Sequence, residues 1–160
     1  MSHSLQIAKG LSTEILVVMA DRQEFRGRFF LADNARNHYG QEHLFDVLND
    51  SGKAFLPFCQ EGRDDVMLVR KSRILGLQQV HDADLAGTRV RDDREEAWQA
   101  AEIALVDFTL VGRAYTGDLP PDRRRLADLL NHGDRFLEFE TGEGPWIVNK
   151  DLVNYLVPLA

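Results

Sequence analysis

Along the first part of the chain, β-branched and aromatic residues concentrate in residues 14–19 and 24–31, separated by Ala-Asp-Arg-Gln. Such side chains pack well on a pleated surface, so the two stretches predict an antiparallel hairpin. The spacing then changes. Leu44, Val47 and Leu48 fall at i, i+3 and i+4, the stripe that a short helix turns toward a core. Asn49 and Gly52 follow, and residues that tolerate left-handed dihedrals stop a helix. Two further strands, residues 54–59 and 66–69, complete a β-β-α-β-β unit.

The same pattern returns downstream. Phe25-Arg-Gly-Arg-Phe-Phe30 matches Leu110-Val-Gly-Arg-Ala-Tyr115, and Leu44-Phe-Asp-Val-Leu-Asn49 matches Leu126-Ala-Asp-Leu-Leu-Asn131. Phe55-Leu-Pro-Phe58 then matches Phe136-Leu-Glu-Phe139, and Met67-Leu-Val-Arg-Lys71 matches Trp146-Ile-Val-Asn-Lys150. The order is kept while the offset drifts from 85 to 79, as loop insertions and deletions after a duplication would leave it. The second set of elements is residues 101–106 and 109–116, the stripe Leu126, Leu129 and Leu130, then residues 135–140 and 146–148. Gly27 and Gly112 fall mid-strand at matched positions, where a glycine marks a bulge or a close backbone approach.

The predicted fold is therefore α+β, mainly β: two tandem pseudo-symmetric β-β-α-β-β units, small and barrel-like or sharing a sheet. A unit of about 60 residues buries little on its own, so the two should cover each other's apolar faces. The organisation predicted is a loosely held N-terminus (residues 1–13), a first β-rich repeat (14–77), a charged connection (78–100) and a second β-rich repeat (101–160). The connection holds Arg91-Asp-Asp-Arg-Glu-Glu96. Its end, residues 95–101, favours helix by composition, with Trp98 as an anchor, and reads as a short helix or an ordered linker.

Composition narrows the class without naming a task. Hydrophobic residues at 44% and charged residues at 28% are globular values that exclude a disordered or low-complexity chain. Apolar runs stay far below the roughly 20 residues that span a bilayer as a helix. The first residues, Met-Ser-His-Ser-Leu-Gln, show no signal-peptide pattern, so the expectation is a cytoplasmic protein without membrane attachment. The single Cys59 excludes an internal disulfide and reads as a small apolar residue. The net charge of −7 disfavours a nucleic-acid partner. It sits in the second part: residues 1–77 hold ten basic and ten acidic side chains, residues 78–160 nine and sixteen.

Chemistry-bearing motifs are scarce. The phosphate-binding, dinucleotide-binding, zinc-protease and nucleophile-elbow signatures are missing from the sequence, so no catalytic residue and no cofactor is assigned. Asp46 and Asp128 invite a carboxylate dyad. Each sits among leucines in a predicted helix, however, which favours a scaffold role paired with Lys71 and Lys150 respectively. Asp46, Asn49, Lys71, Asp128, Asn131 and Lys150 are thus structural repeat positions. His38 and His43, with Asp33 and Glu42, resemble a metal cluster only loosely; exposed loop histidines explain them better, and no metal is assigned. Arg123, Arg124 and Arg125 crowd a helix start, where the macrodipole favours acids. A solvated basic patch answering nearby acids explains the run; alternatively, with Arg28 and Arg113, these arginines are candidate ligands for an anion.

The strings from Arg125 to Asn131, Phe136 to Phe139 and Trp146 to Lys150, with their weaker first copy, resemble an uncharacterised bacterial domain family. That family is one of duplicated small β-rich units with an L-x-D-L-L-N motif and no established activity. The resemblance implies architecture rather than chemistry. The function expected is a non-catalytic cytoplasmic binding or adaptor module for a protein partner. The alternative is a sensor of an anionic small molecule, or a small enzyme, with its site between the repeats. A third reading, an RNA-binding barrel of the Sm-like kind, is opposed by the acidic charge and the scarcity of lysine.

Overall fold

The structure is a computed structural model that describes residues 9–12, 14–32, 43–80 and 94–159. The first half contains β1 (Lys9–Leu11), β2 (Ile15–Met19), β3 (Glu24–Ala32), helix α1 (Leu44–Asn49), β4 (Phe55–Gln60) and β5 (Val66–Arg70). A 3-10 turn at Lys71–Arg73 leads into β6 (Ile74–Gln79). The second half opens on a 3-10 turn at Glu95–Ala97 and continues through β7 (Trp98–Ala104) and β8 (Thr109–Tyr115). A turn at Pro121–Arg123 precedes α2 (Leu126–Asn131), followed by β9 (Phe136–Thr141) and β10 (Gly144–Asn149). A last 3-10 turn, Lys150–Leu152, ends in β11 (Tyr155–Pro158).

All pairings are antiparallel, and ten strands form one open path in the order β11-β7-β8-β9-β10-β6-β2-β3-β4-β5, with β1 attached to β3. This corrects the expected fold class. Among the described residues the molecule is mainly β, but it is one continuous sheet with two short helices rather than two β-β-α-β-β units. Each half carries a further strand, β6 or β11, that the pattern did not reveal. Ile74-Leu-Gly-Leu77 has no alternation because β6 lies in the middle of the path and is buried on both faces. Where a short helix or ordered linker was expected over residues 95–101, only Glu95–Ala97 turns, and Trp98 opens β7.

Of the expected boundaries, Lys9–Leu11 forms β1 within the segment read as loosely held, and residues 1–8 and 13 lie outside the described residues. The connection begins inside β6 and ends inside β7, with residues 81–93 outside the described residues.

The matched glycines bend the sheet. A Cβ on Gly27 would lie 2.1 Å from the Cys59 carbonyl oxygen, and one on Gly112 would lie 2.0 Å from that of Glu140. Only hydrogen fits at either place, so β3 and β8 can press onto β4 and β9 and turn sharply there. Along β3 the pairing moves accordingly: residues 24–27 pair with β2, 27–29 with β4 and 30–32 with β1.

Curling in this way gives the sheet two cores, one on each side of its central strands. The first gathers Ile15, Val17, Phe29, Leu48 and Phe58 with Phe136 and Ile147 from the second half. The second gathers Ile103, Ala114, Leu137, Phe139 and Val148 with Val18 and Leu75 from the first. Successive strand residues point to opposite faces, so β2 and β10 can feed both. In β6 a register shift helps. Met19 pairs with Ile74 while Val18 pairs with Gly76, leaving Leu75 as an extra residue. Leu75 thereby joins the second core while Ile74 and Leu77 stay in the first.

Candidate functional site

The expected pairs of Asp46 with Lys71 and Asp128 with Lys150 are not formed. Asp46 lies in the first turn of α1 and is exposed, facing His43 Nδ1 at 3.5 Å, and Asp128 accepts from Arg125 Nε at 3.4 Å. The two carboxylates therefore belong to separate helices and each has its own local partner. The lysines instead approach the other end of each helix. Lys71 Nζ donates to the Val47 carbonyl oxygen at 3.1 Å and to that of Asp50. Lys150 Nζ donates to the carbonyl oxygens of Leu129 and His132, the latter at 2.9 Å.

These are the carbonyls that a helix leaves over at its C-terminus, where a cation is favoured by the macrodipole. The Lys71 side chain is fully buried, and that burial lowers the pKa of its ammonium against the raising influence of Asp50. Lys150 is lowered too, first by burial, with Asp134 and Asp151 opposing. Both lysines hold helix ends, and Lys150 also lines the cavities described below.

The two asparagines that end the helices differ in use. Asn49 Oδ1 accepts from the backbone N–H of Phe136 in the second half at 2.8 Å. Its Nδ2 is buried and has no hydrogen-bond partner among the described residues. Asn131 Nδ2 folds back onto the Ala127 carbonyl oxygen at 2.8 Å and is exposed. Between the helix ends lies a cleft of about 410 Å³, walled by Asn49 and Asp50 on one side and by Asn131, Asp134 and Arg135 on the other. Arg135 is engaged with Asp151 at 3.2 Å. A smaller cavity of about 150 Å³ lies against Phe45, Tyr115, Leu119 and Glu138.

The candidate anion ligands do not converge on this cleft. Arg28 donates to the Ser12 carbonyl oxygen, and Arg113 contacts Glu140 and Glu95 and lies over the Trp98 ring. Arg124 holds the turn at Gly117 and Leu119, Arg125 pairs with Asp128, and Arg123 is exposed. Of the loose histidine cluster only His43 is described; it precedes α1 without a side-chain cap bond and is buried rather than exposed as expected, while His38, Asp33 and Glu42 lie outside the described residues. Among the described residues no group of three or more His, Cys, Asp or Glu could hold a metal ion. No described helix is long and apolar enough to cross a membrane.

What sequence reasoning missed is a surface. The outer face of the β9–β10 hairpin is buried against the first half: Phe136, Ile147 and Asn149 are at most 1% exposed. Asn149 Nδ2 reaches the Ile74 carbonyl oxygen at 2.9 Å and that of Ser72 at 3.4 Å. The matched face of the β4–β5 hairpin is bare. Leu68 is 65% exposed and Phe55 44%, with Arg70 lying over the Phe55 ring at 4.5 Å. Beside them β5 is an end strand of the sheet path. In sequence Phe55 and Leu68 match Phe136 and Ile147, and nothing in the pattern separates the bare pair from the buried one.

No family model, no curated protein and no solved structure matches the chain, so the resemblance noted above rests on its own strings alone.

Proposed function

We propose that this chain is a non-catalytic binding module that holds a protein partner on the outer face of the β4–β5 hairpin. One observation carries the reading: a large apolar pair, Leu68 and Phe55, stands exposed beside the end strand β5. An apolar face next to an open strand edge can take both side chains and main-chain hydrogen bonds from a partner. The scattered arginines and the lysines committed to helix ends support a role without catalysis. The ordered sequence matches, and the equal strand order of the two halves, support an internal duplication as the origin of the fold.

A second reading, a sensor of a small molecule, is favoured by Asn49 Nδ2. This donor is buried and without a partner among the described residues, and Asn49 is one of the residues lining the cleft between the helix ends; a carboxylate or phosphoryl oxygen that reached it would satisfy it. Native mass spectrometry of gently purified wild type and of Leu68→Lys tests both. A protein subunit retained by the wild type and released by the variant is the expected result. A small molecule retained equally by both, with no protein, would overturn the first reading in favour of the second.

A further inference from the structure

Resting on the reading of the β4–β5 face as a protein-binding surface, we infer that its occupant is a second copy of this chain, docked head-to-tail with β11 of one copy along β5 of the next. The molecule already contains the template for this contact. Its two halves meet where β10 pairs with β6, through Trp146 with Gln78, Ile147 with Leu77 and Val148 with Gly76. Lys71 and Lys150 occupy matched positions 79 residues apart. By that offset β5 is the counterpart of β10, and β11 is the counterpart of β6. The strands that form the internal junction thus have their counterparts at the two ends of the sheet path.

Carrying the junction across pairs Met67 with Val157, Leu68 with Leu156 and Val69 with Tyr155. Pro158, which lacks an N–H, is the counterpart of Gln79 and falls outside these three pairs, so it does not obstruct the ladder. The side chains fit the same transfer. At the internal junction the second half sends Phe136 and Ile147 into the first core. Their counterparts Phe55 and Leu68 are exposed, as are Tyr155 at 57% and Val157 at 42% on the opposite edge.

The receiving side shows the complementary deficit. Helix α1, which packs on both β3 and β9, buries Phe45 and Leu48. On α2 their counterparts Ala127 and Leu130 are exposed and half-buried. Asn131, the counterpart of Asn49, is free of any cross-half bond in the role that Asn49 plays toward Phe136, and would meet the Phe55 N–H of the next copy. Arg70 stands in the place of Asn149 and Asp151 in that of Ser72; inside the chain Asn149 Nδ2 reaches the Ser72 main-chain carbonyl oxygen, and the transfer brings the Arg70 guanidinium, also a donor, to the main-chain carbonyl of Asp151. A head-to-tail contact of this kind is heterologous, and it closes into a ring or grows as a filament.

Sedimentation velocity over a concentration series tests this with three proteins: wild type, Leu68→Lys, and the double variant Tyr155→Lys/Val157→Lys. All substituted side chains are exposed or at the edge, and circular dichroism checks that each variant is folded. The wild type is expected to sediment as an assembly and each variant as an 18.2 kDa monomer. Each variant keeps one good edge, so an equimolar mixture is expected to give a dimer and nothing larger. A wild type that is monomeric at every concentration overturns the inference. So does a β11 double variant that dimerises alone, since that would signal β5 pairing with itself. If the wild type is monomeric yet retains a different protein that Leu68→Lys releases, the inference falls and the binding-module reading stands; if nothing is retained, both fall.

Discussion

Replacing Lys71 by methionine isolates the contribution of a buried cation to a helix end. Methionine matches the length and volume of the side chain but cannot donate, so the Val47 and Asp50 carbonyl oxygens each lose a charge-assisted bond. A bond of that type contributes about 1.5–3 kcal/mol, giving a gross loss of about 3–6 kcal/mol. Part is offset because the variant no longer buries an ammonium, and Val47 O also accepts from Asp50 N at 3.3 Å. The net expectation is a destabilisation of about 2–4 kcal/mol, read as a lower urea midpoint at unchanged m-value. Hydrogen exchange should show the amides of α1 opening first. The matched Lys150→Met should cost less, about 1 kcal/mol, because Lys150 is only partly buried and water can reach the freed carbonyls. A Lys71→Met protein as stable as the wild type, or one less affected than Lys150→Met, would refute the reasoning.

Gly112→Ala should destabilise by at least about 3 kcal/mol, and Gly27→Ala similarly, because each methyl would fall within 2.1 Å of a backbone oxygen and force strands apart; thermal unfolding measures both. Leu48→Ala should cost about 2–5 kcal/mol by denaturant unfolding and Leu130→Ala distinctly less in the monomer, since Leu48 is 1% exposed and Leu130 only half-buried. Both lysines have lowered pKa values in the fold, so the unfolded chain binds more protons between the folded values and the ordinary 10.5. Stability from these groups is therefore lowest where both states are charged and rises with pH toward 10.5; the stability difference between wild type and a Lys71→Met/Lys150→Met variant should grow over that range. Arg22→Ala, which removes an exposed contact with Asp107 and Phe108, should change stability by no more than about 1 kcal/mol in the same assay.

The helices were legible because their signal is local: the stripes at Leu44, Val47 and Leu48 and at Leu126, Leu129 and Leu130 fall within α1 and α2. Gly27 and Gly112 were legible for the same reason, since a glycine inside a strand has few purposes. Lys71 and Lys150 were recognised as equivalent, but their targets were misread. A sequence displays the Asp46 and Asp128 carboxylates and hides the leftover main-chain carbonyls that the lysines serve. Strand β6 escaped because a strand buried on both faces has no polar alternation. The bare face of Phe55 and Leu68 was invisible because burial at Phe136 and Ile147 comes from the other half of the chain.

The exchange of side chains between the two cores has a consequence for synthesis. As the chain emerges from the ribosome, β6 can pair with β2 as soon as the first half is out, but its other edge waits for Gly144–Asn149. Until then Val18 and Leu75 have no second core to enter, and the first core lacks Phe136 and Ile147. The nascent first half is therefore an open-edged, incompletely filled sheet in which Ile74–Leu77, buried in the finished protein, still lack their partner strand. Slow translation of the second half would lengthen that exposure, so the yield of native protein should depend on how quickly residues beyond 94 follow those before 80.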